Sequence, residues 1–221
     1  MHLIDAVIFD LDGVLVDSEH VWDEARRRYV TEHGGRWREG ATRAMLGMSS
    51  AEWSSYVRDE LGVDRPPQRI SAEVAGEVAA LYRERLPLLP GAHEAVVRLA
   101  GRWRLALASS SNREVIDLVL ALADLEAQFQ ATVSSEEVGR GKPAPDVYLE
   151  AARRIAVAPE RCAAIEDSHN GILSARAAGM AVIAIPNERF APGAEALLAA
   201  DRILESIDEL TVDAVAAAAP D

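Results

Sequence analysis

The run Ala6-Val7-Ile8-Phe9 is apolar and β-prone, and it breaks abruptly into Asp10-Leu11-Asp12-Gly13. A short apolar run ended by a turn signal reads as a strand buried on both faces, the kind found inside a parallel sheet. Two carboxylates at its carboxyl end require an explanation. An ionised carboxylate beside a buried strand is costly unless it is paired, hydrogen-bonded or bound to a metal.

Further strand-like runs follow: Leu105-Ala106-Leu107-Ala108, Ala131-Thr132-Val133, Cys162 to Ile165 and Ala181 to Ile185. Amphipathic helical stretches starting near Arg113, Asp146, Gly171 and Ala194 alternate with them. This rhythm predicts an α/β fold, a mainly parallel sheet with helices on both faces, whose ligands gather beyond the carboxyl ends of the strands. Between Glu19 and Leu86 the strand signal disappears, and the chain reads as helices around Trp22 to His33, Ala51 to Leu61 and Ser71 to Arg85. The block returns through Leu86-Pro87-Leu88-Leu89-Pro90-Gly91. The expected organisation is a core of residues 1–18 and 87–221 and a helical insertion of residues 19–86, either a lid over the Asp10 strand end or a subdomain that only packs. The Ala-rich tail from Ala214 to Ala219 is expected to fray.

The formal net charge of −13 disfavours a nucleic-acid binder, since phosphate backbones are held by clustered Lys and Arg. No apolar run approaches a membrane span and no signal-like segment opens the chain, so neither a membrane partner nor secretion is expected. The single cysteine, Cys162, lies in an apolar run and reads as a small core residue rather than a nucleophile. A reducing, cytoplasmic setting and a monomer are the expectations.

Four loops carry polar groups in an order that implies one pocket: Asp10-Leu11-Asp12, Ser109-Ser110-Ser111-Asn112, Lys142-Pro143 and Glu166-Asp167-Ser168. Each alone is also what a turn or helix cap looks like. Together they fit phosphoryl transfer from a small phosphorylated metabolite. Asp10 is the candidate nucleophile and Asp12 the candidate acid/base, with opposite protonation states set by neighbouring charge. Asp167, with Glu166, Asp10 and the Asp12 carbonyl, would form a hard oxygen site for Mg²⁺. Ser109, Ser110, Asn112 and Lys142, with the start of the following helix, would hold the phosphoryl oxygens. Lys142 is the one lysine among 23 basic residues, and a compact ammonium suits a point contact to phosphate and carboxylate better than a planar fork.

These residues resemble the haloacid dehalogenase superfamily of phosphatases and phosphotransferases. Phe9 to Val14 with Asp17-Ser18-Glu19 looks like its first motif, Ala108 to Ser111 its second, Gly141 to Asp146 its third and Ile165 to Ser168 its fourth. The resemblance implies a Rossmannoid core, Mg²⁺ as cofactor and a helical cap that closes over the substrate. Within the superfamily, Asp12 separates the chain from dehalogenases proper, and a Lys-free segment from Glu19 to Leu86 separates it from phosphonatases. A β-phosphoglucomutase-like mutase is the alternative, but Trp22 and Ser50 stand where its cap His and Arg are expected. Asp17 to Ala25 is more similar to the sugar and sugar-alcohol phosphate phosphatases. A catalytically silent metal- or phosphate-binding protein is a further alternative.

Trp22 reads either as an apolar wall over the substrate or as helix packing. His20 reads as a solvent-exposed cap residue, and Arg43 and Arg26-Arg27-Arg28 as solvated helix faces. Two other motifs fail. A calcium loop at Asp10 is contradicted by Val14-Leu15-Val16, and a P-loop before Lys142 by Glu136 and Pro143.

Overall fold

The computed structural model describes residues 3–187 and 190–218. β1 (Ala6–Phe9), β2 (Arg104–Ser109), β3 (Phe129–Ser134), β4 (Cys162–Glu166), β5 (Ala181–Ala184) and β6 (Arg202–Ile203) form one parallel sheet in the order β3-β2-β1-β4-β5-β6. From β1 the chain builds outward through β2 and β3, then returns to place β4 on the other side of β1. That reversal opens a crevice at the carboxyl ends of β1 and β4, where Asp10 and Asp167 follow their strands.

Side chains alternate across each strand, so every apolar run supplies two cores. Val7, Phe9, Leu105, Leu107, Ile165 and Ile183 face one side, and Ala6, Ile8, Ala106, Ala108, Cys162, Ala164 and Val182 the other. The second face is rich in Ala, leaving room for bulky helical residues such as Tyr148 and Ile172 against the sheet. Cys162 is buried there, and burial pushes its thiol up to about 12, so it is a core residue.

Four helices lie between β1 and Leu86: α1 (Glu19–Glu32), α2 (Ala41–Met45), α3 (Ser50–Asp59) and α4 (Pro67–Glu84). α5 (Ala92–Ala100) and α6 (Arg113–Leu122) pack on the first sheet face, and α7 (Asp146–Arg154), α8 (His169–Ala177) and α9 (Ala194–Ala199) on the second. α10 (Val212–Ala216) closes the described chain. The two links to the helical block run side by side: Asp17 N–H donates to the Pro87 carbonyl and Leu89 N–H to the Leu15 carbonyl, both at 2.9 Å. Among the described residues no helix is long and apolar enough to cross a membrane.

Four short elements, α2, α5, β6 and α10, go beyond the sequence expectation. The tail expected to fray instead forms α10, capped by Thr211 Oγ1, which accepts from Ala214 N–H at 3.1 Å, with Val215 buried; Ala219 lies outside the described residues. An apolar anchor outweighs composition there. Ile8 is fully buried in the central strand, so Ile8→Ala should cost about 3 kcal/mol of stability. Urea unfolding should show a lower midpoint with an unchanged slope.

Candidate active site

The loop after β1 turns tightly, with Gly13 N–H donating to the Val16 carbonyl at 2.8 Å and Gly13 at φ 79°. A side chain at Gly13 would collide with the Asp167 carboxylate, so glycine there lets the β1 loop lie against the β4 loop. Asp10 and Asp167 are thereby brought into one cluster with Glu166. One carboxylate oxygen from each of the three lies within 4.8 Å of the others, and all three residues are buried.

Lys142 supplies the charge that makes this cluster tolerable. Its Nζ is 2.6 Å from Glu166 Oε1 and 3.0 Å from Asp10 Oδ1, and the ammonium lies over the Tyr148 ring at 5.0 Å. Burial alone would lower the Lys142 pKa, but the Asp10 and Glu166 charges prevail and hold it above its ordinary value. Asp10 and Asp167 are pushed well up, first by burial and then by the neighbouring carboxylates, Glu166 acting on both. One ammonium among three buried carboxylates leaves an excess of negative charge.

Glu166 is saturated. Its Oε1 accepts from Lys142 and from Tyr148 Oη at 2.9 Å; its Oε2 accepts from the Asp167 and Ser168 amides at 3.0 and 3.1 Å and from Ser168 Oγ at 3.0 Å. Gly171 lets α8 approach this carboxylate, since a Cβ there would collide with it. Asp167 Oδ1, by contrast, is buried with no hydrogen-bond partner among the described residues. That orphaned oxygen, and an all-oxygen donor set beside Asp10, fit a hard divalent cation such as Mg²⁺.

The serine loop acts on Asp12. Asp12 Oδ2 accepts from Ser111 Oγ at 2.7 Å and from Ser109 Oγ at 3.3 Å, and Ser109 Oγ in turn accepts from the Ser111 amide at 3.0 Å. Ser109 is therefore engaged behind Asp12, while Ser110 and Ser111 line the cavity that also contains Asp10, Asp12, Lys142, Asp167 and Ser168. Ser110 Oγ is buried there without a partner among the described residues. Asn112 is not brought to this cavity: its Oδ1 accepts from Ser50 Oγ at 3.0 Å, and its Nδ2 donates to Ser71 Oγ at 2.9 Å and to Glu136 Oε1 at 2.7 Å. It joins the core to α3 and α4.

The cavity measures about 60 Å³ and is roofed by Glu19, Trp22, Arg26, Met45, Gly47, Met48 and Trp53 of the helical block. Trp22 lines the cavity, and its ring packs on Trp53 at a centroid distance of 6.0 Å. His20 and Arg43 are exposed, as expected. The expectation for the arginine run is corrected at Arg26: Arg28 pairs with Glu77 and Arg27 with Asp23 at the surface, but Arg26 is only 8% exposed and turns inward. Glu19, Trp22 and Arg26 share one face of α1, a helical spacing hidden by the run of like charges. A much larger cleft of about 1240 Å³ follows the core–helix seam past Ser50, Ser71 and Asn112, but it contains none of Asp10, Asp12, Lys142 or Asp167.

The sequence model of the family described as haloacid dehalogenase-like hydrolase matches residues 4–179. Hexitol phosphatase B of Escherichia coli K12 is 36% identical over 214 residues, covering 93% of this chain and 94% of the relative. The phosphorylated carbohydrates phosphatase of Thermotoga maritima is 34% identical over 179 residues, covering 80% and 82% respectively. The crystal structure of CbbY from Rhodobacter sphaeroides in complex with phosphate superposes with a TM-score of 0.85 at 27% identity, covering 96% of this chain and 99% of that one. With Asp10, Asp12, Lys142 and Asp167 gathered at the carboxyl edge of a parallel sheet, the chain is a hydrolase of the haloacid dehalogenase-like family.

Proposed function

We propose that the protein is a Mg²⁺-dependent phosphatase that hydrolyses a small phosphate monoester, of the sugar or sugar-alcohol class, through an aspartyl phosphate on Asp10. The observation that carries this reading is the buried Asp10–Lys142–Glu166 ion-pair chain beside an unpartnered Asp167 oxygen. The named phosphatases among the relatives support the substrate class.

Asp10, Asp167 and the Asp12 carbonyl would hold Mg²⁺, with Glu166 positioning Lys142 in place of acting as a ligand. The bound cation would neutralise the excess carboxylate charge and polarise the phosphoryl group. In the first step an Asp10 carboxylate oxygen attacks phosphorus, and the phosphorus–oxygen bond to the leaving group breaks. The departing alkoxide takes the proton of Asp12, whose carboxyl is oriented by Ser109 and Ser111. In the second step water attacks the phosphorus of the aspartyl phosphate, returning a proton to Asp12 and freeing Asp10 with release of phosphate. Lys142, Ser110 Oγ and nearby amides would hold the phosphoryl oxygens throughout. The helical block of residues 19–86 would act as a cap, opening to admit substrate to a cavity too small in this closed form for a phosphorylated sugar, and closing to exclude water.

Two acids in this cavity differ in their expected behaviour. Asp10→Asn should lower phosphate release from a panel of hexose and hexitol phosphates by at least about 10⁴-fold, and EDTA should abolish turnover until Mg²⁺ is restored. Wild-type turnover by Asp10→Asn, or undiminished turnover in EDTA, would exclude the mechanism. Glu19 is half-buried, and burial pushes its carboxyl from 4.5 up to about 7, with Arg26 opposing and the Asp12 and Asp23 charges adding to the rise. Folded protein therefore binds this proton more tightly than the unfolded chain, and the associated stability falls as pH rises from about 4.5 to about 7. Glu19→Gln should be about 1–2 kcal/mol more stable than wild type at pH 8, after discounting for solvent, and equal to it near pH 4. Urea unfolding of the metal-free proteins at both pH values tests this; a pH-independent difference would contradict it.

A further inference from the structure

Arg26 is a buried guanidinium that makes no hydrogen bond and no ion pair among the described residues. Its Cζ lies 5.1 Å from the Trp22 ring centroid and 4.9 Å from that of Trp53, in the angle between two indoles. Those contacts favour the cation, but they offer Nε no acceptor, and a buried charged donor without one is expensive. Nε is fully enclosed and orphaned.

The same side chain lines the cavity that contains Asp10, Asp12 and Lys142. Lys142, Ser110 and Ser111 come from the core side, whereas Arg26 comes from α1 on the roof. A monoester held by its phosphoryl group at Asp10 would direct its leaving group toward the roof, to which Arg26 contributes the one cationic side chain among the roof's lining residues. Glu19, two turns away on the same helix, faces this cavity as well; its charge and those of Asp12 and Asp23 favour the Arg26 cation from a distance, but no ion pair within 4.0 Å gives the guanidinium an acceptor. The guanidinium fork matches a planar carboxylate in a bidentate pair, while an alcohol offers it one weaker acceptor. A second phosphate would bring a dianion into a narrow cavity that already contains Asp10, Asp12, Glu19 and Asp167.

We propose that Arg26 is a specificity-determining residue that receives a carboxylate at the end of the leaving group remote from the phosphoryl, so that phosphorylated sugar acids bind ahead of sugar alcohols of equal length. This rests on the phosphatase reading of a small monoester and shifts its preferred substrate from sugar alcohols to sugar acids. The guanidinium then gains the acceptor that the free protein lacks.

The test uses gluconate 6-phosphate and glucitol 6-phosphate, which differ only in a terminal carboxylate against a terminal hydroxymethyl group. Calorimetric titration of the Asp10→Asn protein with Mg²⁺ compares their affinities without turnover. Gluconate 6-phosphate should bind about tenfold tighter or more. Adding Arg26→Gln should bring the ratio close to one, chiefly by weakening the acid, and Arg26→Lys, which keeps the charge but loses the fork, should fall between. A ratio at or below one, or a ratio above one that both Arg26 variants leave unchanged, would overturn the proposal. If Arg26→Gln does not fold, the Asp10→Asn ratio and its change in Arg26→Lys decide by the same criteria. Fructose 1,6-bisphosphate binding tighter than the sugar acid, with that advantage lost in the Arg26 variants, would reassign the subsite to phosphate and also overturn it. Failure of wild-type enzyme to release phosphate from any monoester with Mg²⁺ would instead defeat the phosphatase reading, while the binding ratio is read separately.

Discussion

Charge imbalance at the carboxyl edge of the sheet is the constraint around which this molecule is arranged. Asp10, Glu166 and Asp167 are buried together with one ammonium, Lys142, between two of them. In a medium of low polarity such a group persists only where the surroundings distribute its charge. Glu166 is stabilised by five donors, two of them main-chain amides at the start of α8, and Tyr148 reaches it from α7. Two helices and a loop are thus tied to a single carboxylate. Asp10 and Asp167 lack comparable compensation, which is the property a cation-binding, phosphate-accepting site requires.

The same division of labour explains the serine loop. Ser109 and Ser111 direct their hydroxyls to Asp12, fixing the carboxyl that the proposed chemistry uses as proton donor and acceptor. Asn112, one residue further on, leaves the site altogether and joins Ser50 of α3 and Ser71 of α4 through buried hydrogen bonds and Glu136 through a partly buried one. One tetrapeptide therefore orients an acid on one side and holds the helical roof on the other. The roof is also attached where the links around Asp17 and Pro87 run together, so its position over Asp10 is set at two separated places.

Much of this was legible in the chain. The strands buried on both faces appear as unbroken apolar runs, and four polar clusters follow or lie near their ends; these features imply the parallel sheet and its reactive edge. Asp10, Asp12 and Asp167 could be identified because charge beside apolar sequence is rare, and Lys142 because it is the one lysine among 23 basic residues. The assignments that shifted concern side chains whose identities do not reveal their direction. Ser109, Ser110 and Asn112 are neighbours along the chain, yet one supports Asp12, one faces the cavity and one reaches the roof. Arg26 looked like its neighbours Arg27 and Arg28 because all three carry the same charge, although α1 rotates them onto different faces.

The linear order of apolar runs, glycines and acids by itself determined the fold class and the place of the reactive edge, since burial, turn geometry and the cost of charge are local demands. Tertiary structure alone decided which acid is saturated with donors, which serines face the cavity and which arginine is turned inward. Each of those outcomes depends on donors and walls contributed by segments distant in sequence, as α7 and α8 act on Glu166 and as Trp53 of α3 closes over Arg26 of α1.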